Sequence, residues 1–123
     1  MCSNYYYIKQ NKMTIDPNDR DYERKKRAQN ALYEVLDPEL MVNVVDLGLI
    51  YEVEFNDEEN KTEVLMTLTT RFCPMGEAIQ TGVKNALEKE FPELETRIEL
   101  TFDPAWNYDM VTPEGMEQLE NRI

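Results

Sequence analysis

The most reactive chemistry in this sequence sits in one short stretch, Thr69-Thr70-Arg71-Phe72-Cys73-Pro74. Apolar residues recur at helical spacing from Pro74 onward, which predicts that Cys73 stands at a helix N-cap. Proline suits the first helical position, where a missing N–H costs nothing. Free amide groups and the positive end of a helix favour a thiolate by roughly 0.3–1 kcal/mol. The thiolate is the form that attacks or binds metal. Arg71 adds positive charge, and Thr69 and Thr70 add two hydroxyls. The residues alone leave a second reading open, a buried thiol packed as a small hydrophobe, as most free cysteines are.

Three other segments carry unusual residues. Asp37-Pro38-Glu39-Leu40 offers two carboxylates. They could form an exposed acidic pair near the thiol, able to hold a cation or meet a basic partner, or they could be a turn closing a helix. Asp46-Leu47-Gly48 reads as a tight entry into a strand, with Gly48 there for its backbone freedom. Asp103-Pro104-Ala105-Trp106 puts the only tryptophan on a loop, as a binding anchor or as a lid over the core.

The chain has no histidine and 2 cysteines. That excludes a Ser-His-Asp triad, a Cys-His dyad and a His-ligated zinc. Two cysteines cannot build a four-thiolate site within one chain. Cys2 reads as incidental, no disulfide scaffold is indicated, and a reducing cytoplasm is the expected location.

The elements that must position these residues follow from periodicity. Ala28, Leu32, Val35 and Leu36 share one face of a helix expected over 20–36, which ends before Pro38. Alternation predicts strands over 49–55, 61–69 and 96–103, each with one wet face. Between the second and third lies a helix over 74–91, with Ile79, Val83 and Leu87 on its apolar face. A last helix is expected over 113–121, with Thr112 as its N-cap. The fold class is α+β: a two-layer sandwich in the order α-β-β-α-β-α, its three-stranded sheet covered on one face by two helices. Residues 1–18 read as a flexible tail, with Met13 as an alternative start, and 19–123 as a single domain. A hairpin followed by a helical crossover returns the third strand parallel to the second. Segments 37–48, 69–74 and 103–106 should therefore gather at one sheet edge.

A chain of 123 residues is long enough for one core. Its net charge of −12 is uneven, with residues 1–36 at +2 and residues 37–123 at −14. Such a surface repels phosphates, so nucleic acid and anionic membrane are disfavoured as partners, while a basic protein partner is steered in. No apolar run is long enough to span a bilayer.

Taken together, four motifs resemble the metal-sulfur cluster biosynthetic family, which includes SufT-like and PaaD-like proteins. They are Asp37-Pro38-Glu39-Leu40, Val45-Asp46-Leu47-Gly48-Leu49-Ile50-Tyr51, Met66 to Thr70 with Cys73-Pro74, and Leu100 to Trp106. The resemblance covers about residues 24–120. It implies an accessory protein for iron–sulfur cluster assembly or delivery, with a fold akin to the cluster-scaffold domain of NifU-like proteins. It also implies that Cys73 is the functional residue, with Asp37, Glu39, Thr69 and Thr70 matching the family's other motif positions. This chain has Met41 where members often carry glycine. It has Arg71-Phe72 where they often carry Pro-Gly, which makes a bulkier loop around Cys73.

The leading expectation is thus a non-enzymatic factor that passes a cluster, iron or persulfide to apo-proteins, with Cys73 as contact atom and tentative metal ligand. A transient iron–sulfur cluster would then be shared by a homodimer or completed by a partner's thiolates. The alternative is an acidic interaction adaptor with a structural cysteine and Trp106 as anchor, including an auxiliary subunit of an aromatic-ring oxygenase pathway. The chain lacks a phosphate-binding glycine loop as well as histidine, so a stand-alone enzyme is not expected.

Overall fold

Alternating apolar residues build a hairpin in the computed structural model, which describes residues 15–69 and 76–121. Strand β1 (Ile50–Asn56) runs antiparallel to β2 (Lys61–Met66), with Val53 opposite Val64 and Phe55 opposite Thr62. The turn between them contains Asn60 at φ 56°, a conformation that asparagine tolerates better than most residues. Strand β3 (Glu95–Leu100) lies beside β2 and parallel to it, so the sheet order is β1-β2-β3.

Two helices cover one face. Helix α1 (Tyr22–Leu32) and helix α2 (Gly76–Glu90) bury Ala28, Leu32, Ile79, Val83 and Leu87 against Val53, Val64 and Met66. Each of these side chains larger than alanine contributes about 1.5–3 kcal/mol on burial. Arg27 bonds Glu90 at 2.8 Å, while a Cβ on Gly82 would lie 3.1 Å from Val35 Cγ1. The chain through α1 and Val35 therefore runs antiparallel to α2, towards the helix's N-terminal half. The opposite sheet face carries Glu52, Glu54, Arg97 and Glu99, all exposed. This is the expected two-layer α+β sandwich. Helix α3 (Pro113–Asn121) follows a single 3-10 turn, Tyr108–Met110. Its expected cap is present, because Thr112 Oγ1 accepts from Gly115 N at 3.0 Å.

Several boundaries differ from the periodicity reading. Helix α1 ends at Leu32, four residues early. The amides of Tyr33, Glu34 and Val35 turn back onto Gln29, Ala31 and Leu32. Val35 then extends and accepts from Val44 N at 2.9 Å, while Leu36 bridges Asn43. This small ladder takes the backbone bonds that another helical turn would need. Leu36, expected on the buried face, is consequently 47% exposed. In β1, pairing shifts between Ile50 and Glu52, so alternation fails there and Leu49 and Ile50 are both buried.

The structure describes residues 15–18, the end of the segment read as a tail. Ile15 packs against the core, and Asp16 closes a turn by accepting from Asn18 N and Asp19 N. Residues 1–14, including Cys2 and Met13, lie outside the described residues. The turn feeds α1, where the Lys25 ammonium reaches Asp19 at 2.7 Å and Glu54 at 3.1 Å. Burial works against that ammonium, but its two carboxylate partners prevail and raise its pKa. No helix among the described residues is long and apolar enough to cross a membrane.

Candidate functional site

Two of the three segments expected to gather at one sheet edge can be followed, and they meet there. Thr67 N bonds Leu49 O and Thr101 N bonds Met66 O, both at 2.9 Å. The start of β1 and the ends of β2 and β3 therefore share one edge. Trp106 Nε1 donates to Leu47 O at 2.6 Å, and Tyr51 donates its hydroxyl to Pro104 O at 2.8 Å. These two bonds tie the loop after β3 to the segment that enters β1.

The third segment is bracketed. Thr69 is half-buried three residues past the end of β2, while Thr70 and Cys73 lie outside the described residues. The bracket is tight, since a Cβ on Gly76 would lie only 2.9 Å from Leu68 Cδ1. Strand end and helix start thus touch at Leu68 and Gly76, and residues 70–75 connect them.

The acidic motif behaves differently from an exposed pair. Glu39 is exposed, but Asp37 is 1% exposed. Asp37 Oδ1 accepts from Glu39 N at 2.8 Å and Leu40 N at 3.1 Å, and its backbone closes on Val42 O and Met41 N. The residue shapes a turn, as short acidic side chains do by bonding the backbone two or three residues on. Of the two readings open from the sequence, the turn is the one present for Asp37, and only Glu39 faces solvent. Asp37 Oδ2 is buried with no hydrogen-bond partner among the described residues. The turn also forces Met41 to φ 59°, the left-handed region that favours glycine.

A second buried acid, Asp46, was read from the sequence only as part of a strand entry. Asp46 accepts from Thr112 Oγ1 at 2.9 Å and from Asn43 Nδ2 at 2.7 Å, and its amide donates to Asn43 Oδ1 at 2.8 Å. Thr112 N adds a bond to Asp46 O at 2.8 Å. This network locks the loop before β1 to the N-terminus of α3. Gly48 follows at φ 80°, where a Cβ would overlap the Met110 carbonyl oxygen, so the tight entry read from the sequence is present. Spacing could reveal Thr112 as a cap, but not its partner 66 residues away.

Trp106 is half-buried against the core with its indole N–H bonded, so it partly lids the fold. The more exposed aromatic is Tyr108, which the sequence reading passed over. Among the described residues, no three His, Cys, Asp or Glu side chains cluster closely enough to hold a metal ion.

The model of a family described as iron-sulfur cluster assembly protein matches residues 25–100. The Fe-S protein maturation auxiliary factor YitW of Bacillus subtilis is 39% identical over 89 residues, which cover 72% of this chain and 85% of the relative. The Fe-S protein maturation auxiliary factor SufT of Staphylococcus aureus is 44% identical over 79 residues, which cover 63% and 88%. The crystal structure of a domain of unknown function from Bacillus anthracis matches at a TM-score of 0.71 and 33% identity. That match covers 78% of this chain and 90% of the other.

Proposed function

Because the chain belongs to the iron-sulfur cluster assembly protein family, we propose that it is an accessory factor in maturing iron–sulfur proteins, with the Cys73 thiol as its contact atom. The observation that carries the proposal is the family match, which spans the Cys73 motif, together with relatives named as maturation auxiliary factors. Cys73 stands three residues before Gly76, the first described residue of a 15-residue helix. A thiol there would sit by the positive end of α2, which favours its thiolate. Thr69 and Thr70 precede it with hydroxyls that can donate to a sulfur or an anionic cargo.

The cargo is an iron–sulfur cluster, iron, or a persulfide in transit. One cysteine cannot enclose a cluster, so a second subunit or the recipient must supply further thiolates. Apo-proteins and the assembly machinery are the partners, and the setting is the reducing cytoplasm. The role is transfer rather than catalysis.

The test is cluster occupancy of recipient enzymes in cells that carry Cys73→Ser. Occupancy should fall towards that of a deletion strain, and unchanged occupancy would remove the thiol role. The excess of acid over residues 37–123 favours a second reading, an adaptor with a structural cysteine. On that reading Cys73→Ala is silent and Glu39→Lys is not. Asp37 is unsuited to this comparison, because reversing a buried turn-forming acid would unfold the loop.

A further inference from the structure

Two arginines of this chain show one arrangement twice. The Arg24 guanidinium lies 4.4 Å over the Phe55 ring while Asp21 and Asp57 grip its nitrogens. The Arg27 guanidinium lies 4.6 Å over the Phe91 ring while Glu90 holds its Nε at 2.8 Å. Each site joins an aromatic face, a guanidinium and a carboxylate. A planar cation suits such a site because it stacks on the ring and still presents N–H groups to the acid.

The loop after β3 has two of these three parts. Trp106 and Tyr108 meet with ring centroids 5.1 Å apart at 60°. Tyr108 is 63% exposed. Exposed carboxylates surround the pair in sequence, at Asp103, Glu114, Glu117 and Glu120, and Arg122 is the single basic residue of the stretch 101–123. Among the described residues, the cation–π contacts are those at Phe55 and Phe91.

The aromatic pair is also held in place. The indole N–H is fixed on Leu47 O, Tyr51 holds Pro104 O, and Asn107 caps the Tyr108 turn through Asp109 N at 2.8 Å. Met110, on the same turn, is buried in the core. A surface ordered in advance loses little entropy on binding.

We propose that the Trp106–Tyr108 shelf is a docking surface for an arginine-bearing segment of a partner protein, whose guanidinium completes the arrangement that Arg24 and Arg27 complete elsewhere. An aliphatic anchor would leave the carboxylates unused, and the charge of this region repels an acidic one. The bond from Thr101 N to Met66 O sets the shelf at the sheet edge from which residues 70–75 depart. The inference does not depend on Cys73 chemistry.

The test uses the only tryptophan as reporter, in the full chain, with tetra-arginine amide and tetra-lysine amide as probes at fixed ionic strength. Tetra-arginine should change the Trp106 emission saturably and bind about threefold tighter than tetra-lysine, given the stacking advantage of guanidinium. Tyr108→Leu should weaken tetra-arginine about two- to fivefold, while Tyr108→Phe retains it. Glu63→Lys, on the open sheet face, should change it less than Tyr108→Leu does. Tyr108 is exposed, so its variants should fold. No saturable change, equal binding of the two probes, or an unaltered Tyr108→Leu would each overturn the proposal.

Discussion

Exchanging the partners of the buried Asp46 network should reveal how the candidate edge is held. Asp46→Asn keeps the side-chain shape and leaves an oxygen for the Thr112 hydroxyl, but it points an amide at Asn43 Nδ2, now 2.7 Å from a carboxylate oxygen. A hydrogen bond to a charged group, worth about 1.5–3 kcal/mol, is lost, and one buried N–H is stranded at about 1–3 kcal/mol. Asn43 cannot simply flip, because its Oδ1 already accepts from Asp46 N at 2.8 Å, and turning the new amide at position 46 instead would strand the Thr112 O–H, which has its acceptor there. The expected loss is about 3 kcal/mol, a large share of a stability that is about 5–15 kcal/mol in domains of this kind. Asn43→Asp alone sets two acids face to face and should cost at least as much. The double variant restores a donor facing an acceptor, because the new carboxylate at position 43 accepts from the new amide at position 46 and still receives the backbone N–H. It should regain at least half of the summed losses, a coupling of about 2–3 kcal/mol. Urea unfolding followed by circular dichroism measures this, with an unchanged m-value as the check on two-state behaviour. Asp46→Asn costing under about 1 kcal/mol, or additive single losses, would show that the network does not hold this loop.

Met41→Gly should stabilise the chain. It removes a left-handed penalty of about 1–2 kcal/mol at an exposed position and adds about 0.5–1 kcal/mol of unfolded-state entropy. The net gain of about 0.5–1 kcal/mol should appear in the urea midpoint, and a loss would mean that the Met41 side chain contributes packing. Burial raises the Tyr51 hydroxyl pKa above the ordinary tyrosine value of about 10. A raised folded-state value gives stability that is complete below the unfolded pKa and lost as pH climbs through the folded one. Unfolding free energies measured between neutral pH and pH 11 should therefore fall more steeply for the native chain than for Tyr51→Phe, and equal slopes would refute the assignment.

What could be read from the sequence was whatever depends on short-range pattern. Helices α2 and α3, three strands with one wet face, the Thr112 cap and the Gly48 entry all follow from spacing within one element. The end of α1 was not legible, because it is decided by Val35 and Leu36 bonding to Val44 and Asn43, a competition that helical periodicity does not register. Val35, Leu36 and Asp37 look like one more turn of an apolar face followed by a surface acid. In the fold they are a buried extended residue, an exposed leucine and a buried turn-forming carboxylate. The edge itself was legible from topology, since a hairpin plus a crossover fixes which strand ends coincide. The ties across it were not, because Trp106 to Leu47, Tyr51 to Pro104 and Asp46 to Thr112 join residues more than fifty positions apart.

Those ties bear on how the proposed role could work. Two cysteines cannot build a four-thiolate site within one chain, so on the proposed role a cluster carried by Cys73 would take further thiolates from another chain. Recognition of that chain then rests on surface rather than on coordination. Residues 37–123 would supply long-range attraction for a basic partner, which sets encounter rates and falls with salt. The Trp106–Tyr108 shelf would supply a short-range contact that salt weakens far less. The loop carrying that shelf and the segment entering β1 are joined by the Trp106 and Tyr51 bonds, so a partner seated on one is held at a fixed position relative to the other. Affinity and transfer should accordingly separate: thiol variants keep partner binding and lose delivery, whereas shelf variants weaken binding at low partner concentration and recover delivery when the partner is in excess.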